Sequence, residues 1–173
     1  MKAIIVGGGK IGFYLAKALS ERDYSVTMIE QDREQSRYCA NNLEAEIICG
    51  NGTTVEALEA AGADKADCVI AIDALSCQDP RFIGKTVQIS SSGLIPGSGA
   101  GGRGSELSEE LLGCPTVAVG VPTVTQLSSI TQRSADRRFL VSVPDIDIII
   151  GMWAEVIGGA LDLLVGEKGM KNV

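Results

Sequence analysis

The sequence predicts an α/β fold in three layers, with helices on both faces of a mostly parallel sheet. Two kinds of segment in the sequence predict this fold. Over residues 1–75, short apolar runs alternate with segments whose apolar residues recur at every third or fourth position. The runs are typical of buried strands and the segments of amphipathic helices. Strands that alternate with helices favour right-handed βαβ units and therefore a parallel sheet.

The first half of the chain accounts for four of these strands and three of these helices. The strands are predicted at Lys2–Val6, at Ser25–Glu30, at 46–50 and within ADCVIAIDAL. The helices are predicted at 10–23, 32–43 and 53–63. Asp32 is expected to cap the second helix, because a carboxylate accepts the free N–H groups of a first turn. Gly62 is expected to stop the third.

The second half is still α/β, but its predicted strands and helices do not repeat the regular alternation of the first half. Strands are predicted at 86–90, 116–121 and 139–143, with a short helix at 105–113 and a polar stretch at 125–138. Pro144 is expected to open a final helix, with Asp145 and Asp147 near its positive end and Gly166 as its stop. Its predicted core stripe consists of Ile149, Ile150, Trp153, Ile157, Leu161 and Leu164.

The fourth strand, in ADCVIAIDAL, belongs to both halves of the chain. We therefore expect one continuous sheet and a single α/β domain over residues 1–173. Within it, residues 1–72 form one half and residues 73–173 the other.

Composition excludes several classes of function. A net charge of −7 without a basic cluster argues against a nucleic-acid partner. The chain has no histidine, which excludes Ser-His-Asp and Cys-His catalysis and histidine-ligated metals. Its five cysteines lack C-x-x-C spacing, so reduced thiols are expected rather than a metal site or disulfides. The most apolar late stretch carries three carboxylates and the amino end lacks a secretory signal, so we expect no membrane span and a cytoplasmic protein.

The stretch GGGKIG, between a predicted strand and a predicted helix, fits the G-x-G-x-x-G pattern of a dinucleotide-binding turn. Gly7 would allow the tight turn, Gly9 the approach of a pyrophosphate, and Gly12 close packing of helix on strand. Glu30 ends the second strand, at the place of a carboxylate that holds ribose hydroxyls and favours NAD over NADP. The alternative is a turn of the same shape that binds nothing.

The segment MKAIIVGGGKIGFYLAKALSERDYSVTMIEQD and the later IICGNGTTVEALEAAGADKADCVIA resemble the TrkA-N, or RCK-type, nucleotide-binding domain of bacterial potassium-uptake regulators. That family binds NAD(H) or ADP/ATP and gates potassium transport. The resemblance, over residues 1–72, implies these nucleotide contacts: Gly7, Gly9, Lys10, Ile11, Gly12, Glu30, Asp32, Asn51, Gly52 and Thr53. The family often has Asp where this chain has Asn51.

A second match to the same glycine pattern, GSGAGG at 97–102, lacks the context of the first. Pro96 stands directly before it, where a strand would have to end, and no carboxylate follows the next predicted strand. The glycine-rich composition is typical of a flexible loop, so we interpret GSGAGG as a loop and not as a phosphate site.

The residues around that loop resemble the C-terminal half of the spore germination protease family. The resemblance covers 67–164 and is carried by CVIAIDAL, IPGSG, SEELLG and VAVGVPTV. The family cleaves small acid-soluble spore proteins and is thought to use two aspartates. Asp73 matches one of them, and the half of the family that holds the other is replaced here. Because such a pair needs two coupled carboxyl groups, we expect Asp73 to be vestigial and the chain not to be an enzyme.

Two unrelated families thus meet inside one strand, which indicates a deliberate chimera of two folds, with a natural mosaic as the alternative. Three functions are compatible with it. The first is a nucleotide-binding or purely structural chimera without turnover; the second is an aspartate-dependent peptidase; the third is a nucleotide-sensing regulator of potassium transport. No hydride-acceptor site is visible, so NAD would be a ligand and not a redox cofactor. The protein is expected to be a monomer or a homodimer.

Overall fold

The computed structural model describes residues 1–95 and 106–170. GSGAGG, at 97–102, lies outside the described residues. The strands are β1 (Lys2–Val6), β2 (Ser25–Glu30), β3 (Glu46–Cys49), β4 (Cys68–Cys77), β5 (Gln88–Ser90), β6 (Thr116–Gln126) and β7 (Leu140–Val141). The helices are α1 (Lys10–Ser20), α2 (Arg33–Asn42), α3 (Val55–Ala60), α4 (Glu109–Leu112), α5 (Ser128–Thr131) and α6 (Ile146–Met170).

The seven strands of the described residues form one sheet, in the order β3-β2-β1-β4-β6-β5, and β7 also pairs with β6. Five strands run parallel to one another, namely β1, β2, β3, β4 and β6. The other two, β5 and β7, both run antiparallel to β6. The predicted fold class, α/β with a mostly parallel sheet, is confirmed. The chain reverses direction across the sheet between β1 and β4, and ligands of such sheets bind at the carboxyl ends of the strands at this point.

The apolar core has two parts, one on each face of the sheet, which gives the fold its three layers. On one face, Leu15 and Leu19 of α1 pack with Ile157 of α6 against the sheet. On the other face, Leu58 of α3 and Leu107 pack against the opposite side chains of β1 and β4. Adjacent strand residues point to opposite faces, and the largest of these side chains are fully buried.

Two predicted helix boundaries in the first half, at Asp32 and Gly62, are confirmed, whereas α1 ends at Ser20 and not at 23. The carboxylate of Asp32 accepts a hydrogen bond from the backbone N–H of Gln35 at 2.7 Å, so Asp32 is the N-cap of α2. Gly62 follows α3 with a φ of 69°, in the left-handed region that glycine enters without steric cost.

β4 and β6 both extend further toward the C-terminus than the sequence indicates. β6 continues through Pro122 to Gln126, because the pairing with β4 shifts register between Leu75 and Ser76. A bulge of this kind accommodates a proline inside a strand. Asp73, expected at the carboxyl end of a strand, therefore lies in the middle of β4, paired with Gly120.

The last helix begins two residues after Pro144 and continues through Gly166 to Met170, so the predicted stop at Gly166 is wrong. A glycine lowers helix propensity, but it typically ends a helix by adopting the left-handed conformation itself. Ile150 and Ile157 are buried, and the indole N–H of Trp153 donates to the carbonyl oxygen of Gly84 at 2.8 Å. None of the helices in the described ranges combines the length and apolarity that crossing a bilayer requires.

Candidate functional site

The glycine turn between β1 and α1 has the geometry that its sequence indicates. Gly7 adopts a φ of 109°, a conformation that L-amino acids rarely adopt. A Cβ on Gly12 would lie 1.8 Å from the carbonyl oxygen of Gly7, so only glycine permits this packing of α1 on the turn. The turn therefore requires glycine at both positions for structural reasons alone.

Gly9 has no such structural constraint. It is the N-cap of α1, with a φ of −61°, and a Cβ placed on it would meet nothing within 4 Å. The space over Gly9 lies at the positive end of an 11-residue helix whose N-cap has no side chain to bond the first-turn N–H groups. A phosphate at this position would find free donors and a favourable dipole.

Glu30 joins the turns that follow β1 and β2. Its carboxylate accepts hydrogen bonds from the backbone N–H groups of Gly8, at 2.6 Å, and of Asp32, at 2.7 Å. Asp32 uses its own side chain to cap α2 and therefore has a structural role in this state. A carboxylate has about four acceptor positions, so Glu30 retains capacity for ribose hydroxyls.

The turn is also tied to α2. The side-chain amide of Gln35 donates to the carbonyl oxygen of Gly8 at 2.6 Å, and the buried Sγ of Cys39 lies 3.6 Å from the same oxygen. Burial raises the pKa of the Cys39 thiol, the charge of Glu30 raises it further, and the hydrogen bond from Gln35 opposes both effects. Cys39 is therefore held as a neutral thiol beneath the turn.

The loop after β3 lies over the ends of β1 and β2. The side chain of Asn51 accepts from both the N–H and the hydroxyl of Thr53, at 3.0 and 2.8 Å, which closes a local turn. A Cβ on Gly52 would come within 2.4 Å of Val6, so the loop packs directly on the end of β1. This places the loop on the β2 side of the glycine turn, opposite the side on which β4 lies.

A cavity of about 310 Å³ lies at the switch point, beside the glycine turn. It is lined by five of the ten residues that the sequence predicts as contacts, Gly7, Gly9, Lys10, Ile11 and Gly12. Its other wall consists of Ile72, the last residue of the first half, and of six residues of the second half: Ala74, Thr123, Val124, Ser142, Ile146 and Ile150. Sequence reasoning missed this wall, although the carboxyl ends of β4 and β6 were a signal for it. The other five predicted residues, Glu30, Asp32, Asn51, Gly52 and Thr53, do not line the cavity.

Lys10 and Asp147 form an ion pair between the first turns of α1 and α6. Lys10 lines the switch-point cavity and also a second one of about 300 Å³, whose wall includes Asp147 and the rings of Phe13, Tyr14 and Tyr38. The pair thus connects the two halves of the chain at the edge of the candidate phosphate position, and it places a carboxylate there as well as an ammonium group.

Asp73 lies apart from the glycine turn. It lines a separate cavity of about 260 Å³ that includes Gln88, Ser90 and Leu94. Within residues 1–95 and 106–170, no three His, Cys, Asp or Glu residues are grouped so as to hold a metal ion. The structure therefore places the glycine turn and Asp73 at two different sites.

Taken together, the sheet order, the glycine turn at its switch point and the acid at the end of β2 define a Rossmann-like α/β protein. The family model for the germination protease matches residues 53–141, more than half of the chain, and the chain belongs to that family. The model for the TrkA-N domain matches residues 3–81. Both predicted resemblances are thereby confirmed, and the two matches share residues 53–81, which contain α3 and β4.

Individual relatives agree with the germination protease match. Germination proteases of Bacillus cytotoxicus, Bacillus mycoides and Bacillus cereus are each 50% identical to this chain over 72 residues. The matched region is 42% of this chain but 20% of each relative. The chain thus spans about a fifth of the length of the curated relatives it matches.

Proposed function

We propose that this protein binds an adenine nucleotide at the glycine turn, with NAD as the first candidate and ADP or ATP as alternatives, and that it catalyses no reaction. The observation that carries the proposal is the open space over Gly9, at the N-terminus of α1 and beside the switch-point cavity. The positive end of the helix dipole, the N–H groups of the first turn and open space coincide there, as phosphate binding requires.

NAD fits this site better than a mononucleotide. Glu30 stands where it can accept ribose hydroxyls, and its charge would repel a 2′-phosphate. The cavity on the β4 side has apolar walls, among them Ile72, Ile146 and Ile150, and offers space for a second ring beyond the pyrophosphate. ADP or ATP, which lack a second ring beyond the phosphates, would leave this cavity unfilled.

We propose that the protein catalyses no reaction because of where Asp73 lies. Asp73 lines a different cavity from the glycine turn and is absent from the lining of the switch-point cavity, although its neighbours Ile72 and Ala74 belong to that lining. The competing proposal is a peptidase of the germination protease type, supported by the family match. It requires cleavage of a spore-protein peptide that disappears in Asp73→Asn; a cleavage rate above the blank would overturn the proposal of no turnover.

We also propose that the chain is an engineered chimera. The support is that two family models overlap only at 53–81, a segment centred on α3 and β4 that suits a parallel sheet from either family. Recombination at a shared strand keeps the order and handedness of the sheet. A natural genome that encodes this same junction in one uninterrupted gene would contradict the engineered origin.

The nucleotide proposal is tested by thermal unfolding with NAD, NADH, ADP and ATP. A ligand at a hundred times its Kd stabilises the native state by about 2.7 kcal/mol. For a chain of this size that corresponds to a rise in Tm of roughly 5–11 °C. No rise with any of the four nucleotides at millimolar concentration would refute the proposal.

A matched pair of variants assigns any rise to the turn. Gly9→Asn places a side chain in the open space over the turn, at a helix N-cap that favours Asn. Gly113→Asn makes the same exchange after α4, where the Cβ also meets nothing within 4 Å and the φ of 69° suits Asn. Gly9→Asn should abolish the ligand-induced rise and Gly113→Asn should retain it.

A further inference from the structure

The outward face of α6 is apolar along its length. Ile148, Met152, Val156 and Leu163 expose 67, 66, 58 and 74% of their surface, and Gly159 lies among them on the same side. At 100° per residue, these positions fall within an arc of about 80° on the helix. The buried positions Ile150, Ala154 and Ile157 lie on the opposite side and are not part of this arc. We call the outward set, Ile148, Met152, Val156, Gly159 and Leu163, the α6 outer face.

A helix on the surface of a globular protein normally carries polar residues on its outward side. The α6 outer face has none, and from Met152 onward its residues recur at intervals of four, three and four. That is the spacing of a seam between two packed helices. An apolar strip with this spacing is typical of a surface that another helix covers.

Two acids beside this face are paired within the chain. Asp147 pairs with Lys10, and Glu155 accepts from the guanidinium of Arg22 at 2.9 Å. The chain carries a net charge of −7, so two copies repel each other in most orientations. They repel less where acids of the approaching surface are paired, as Asp147 and Glu155 are beside the α6 outer face.

We propose that a second copy of this chain covers the α6 outer face, with α6 packed on α6 about a two-fold axis. A two-fold contact needs a self-complementary surface. The face provides it, because the open space at Gly159, where a Cβ would meet nothing within 4 Å, can receive a large side chain such as Met152 of the other copy. The inference goes beyond nucleotide binding and does not depend on it.

The size of the face determines how strong the dimer is. From Ile148 to Leu163 the strip is about 22 Å long at 1.5 Å per residue and roughly 10 Å wide, so it covers a few hundred Å² per copy. Stable interfaces bury about 800 Å² per partner. The dimer should therefore dissociate on dilution, with a Kd in the micromolar range or above.

The test is sedimentation equilibrium of the full chain from 5 to 500 μM, without nucleotide. We expect the weight-average mass to rise towards that of a dimer with concentration. Met152→Glu puts a like charge on both sides of the seam and should keep the protein monomeric over the whole range. Leu111→Glu makes a comparable change at a position on α4 that is 65% exposed, and should dimerise as the parent does.

Circular dichroism confirms that each variant is folded before its mass is compared. A parent chain that is monomeric at 500 μM would overturn the proposal. So would a dimer that Met152→Glu leaves unchanged, because another surface would then hold it. Binding to vesicles of neutral phospholipid by a monomeric parent chain, lost in Met152→Glu, would assign the face to lipid and also overturn the proposal.

Discussion

Asp147→Asn should tighten nucleotide binding, because Asp147 pairs with Lys10, the residue next to Gly9, and so places a negative charge near the candidate phosphate position. The two side chains are 57 and 59% exposed, so the ion pair itself is worth only about 0.2–1 kcal/mol. In water, two like unit charges about 6 Å apart repel by roughly 0.7 kcal/mol, so a pyrophosphate with two charges at such a separation from a carboxylate would lose about 1.4 kcal/mol. The substitution should therefore lower the Kd for NAD about tenfold and reduce stability by less than about 1 kcal/mol.

Isothermal titration calorimetry at 20 mM and 500 mM salt measures this effect. The tenfold difference from the parent chain should shrink strongly at 500 mM salt, since charges at this exposure are screened. Asp145→Asn, an equal change of charge at an exposed neighbour, is the control and should change the Kd much less. A Kd for Asp147→Asn that equals or exceeds that of the parent at low salt would refute the reasoning, because the ion pair would then support binding.

Two further predictions concern stability. Gly12→Ala should destabilise the fold by about 3 kcal/mol or more in urea unfolding, because its Cβ would lie 1.8 Å from the backbone oxygen of Gly7; an effect below about 1 kcal/mol would mean that the turn can relax. Burial is the main cause that raises the pKa values of Cys39, Cys77 and Cys114, so the native state binds their protons more tightly than the unfolded state does. Their contribution to stability is complete below a pH of about 8.5 and is lost as the pH rises further, so the free energy of unfolding should fall as the pH rises above about 8.5; a flat profile there would contradict this.

Much of the first half was predictable because local and tertiary signals agree there. β1 and β2 begin and end where the apolar runs do, and the caps at Asp32 and Gly62 follow from side-chain and backbone chemistry within a few residues. The glycine turn is local in the same sense. Its residues lie between β1 and the first turns of α1, so their arrangement depends little on the rest of the chain.

The second half was harder to predict because its features depend on pairing between distant residues. The bulge opposite Leu75 and Ser76, which extends β6 past Pro122, exists only in the register of β4 and β6. The cavity wall formed by α6, and the contact of Asp147 with Lys10, depend on how that helix crosses α1. The periodicity of apolar residues in the sequence predicts a core stripe on α6. It does not indicate that the exposed side of the helix is apolar as well.

A crystal structure of the protein soaked with NAD would show directly whether GGGKIG binds a nucleotide. We expect density for a pyrophosphate over Gly9 at the N-terminus of α1, a ribose at Glu30, and the second ring in the switch-point cavity. Clear density for the protein with none over Gly7 to Gly12 at saturating NAD, or NAD bound elsewhere, would contradict it.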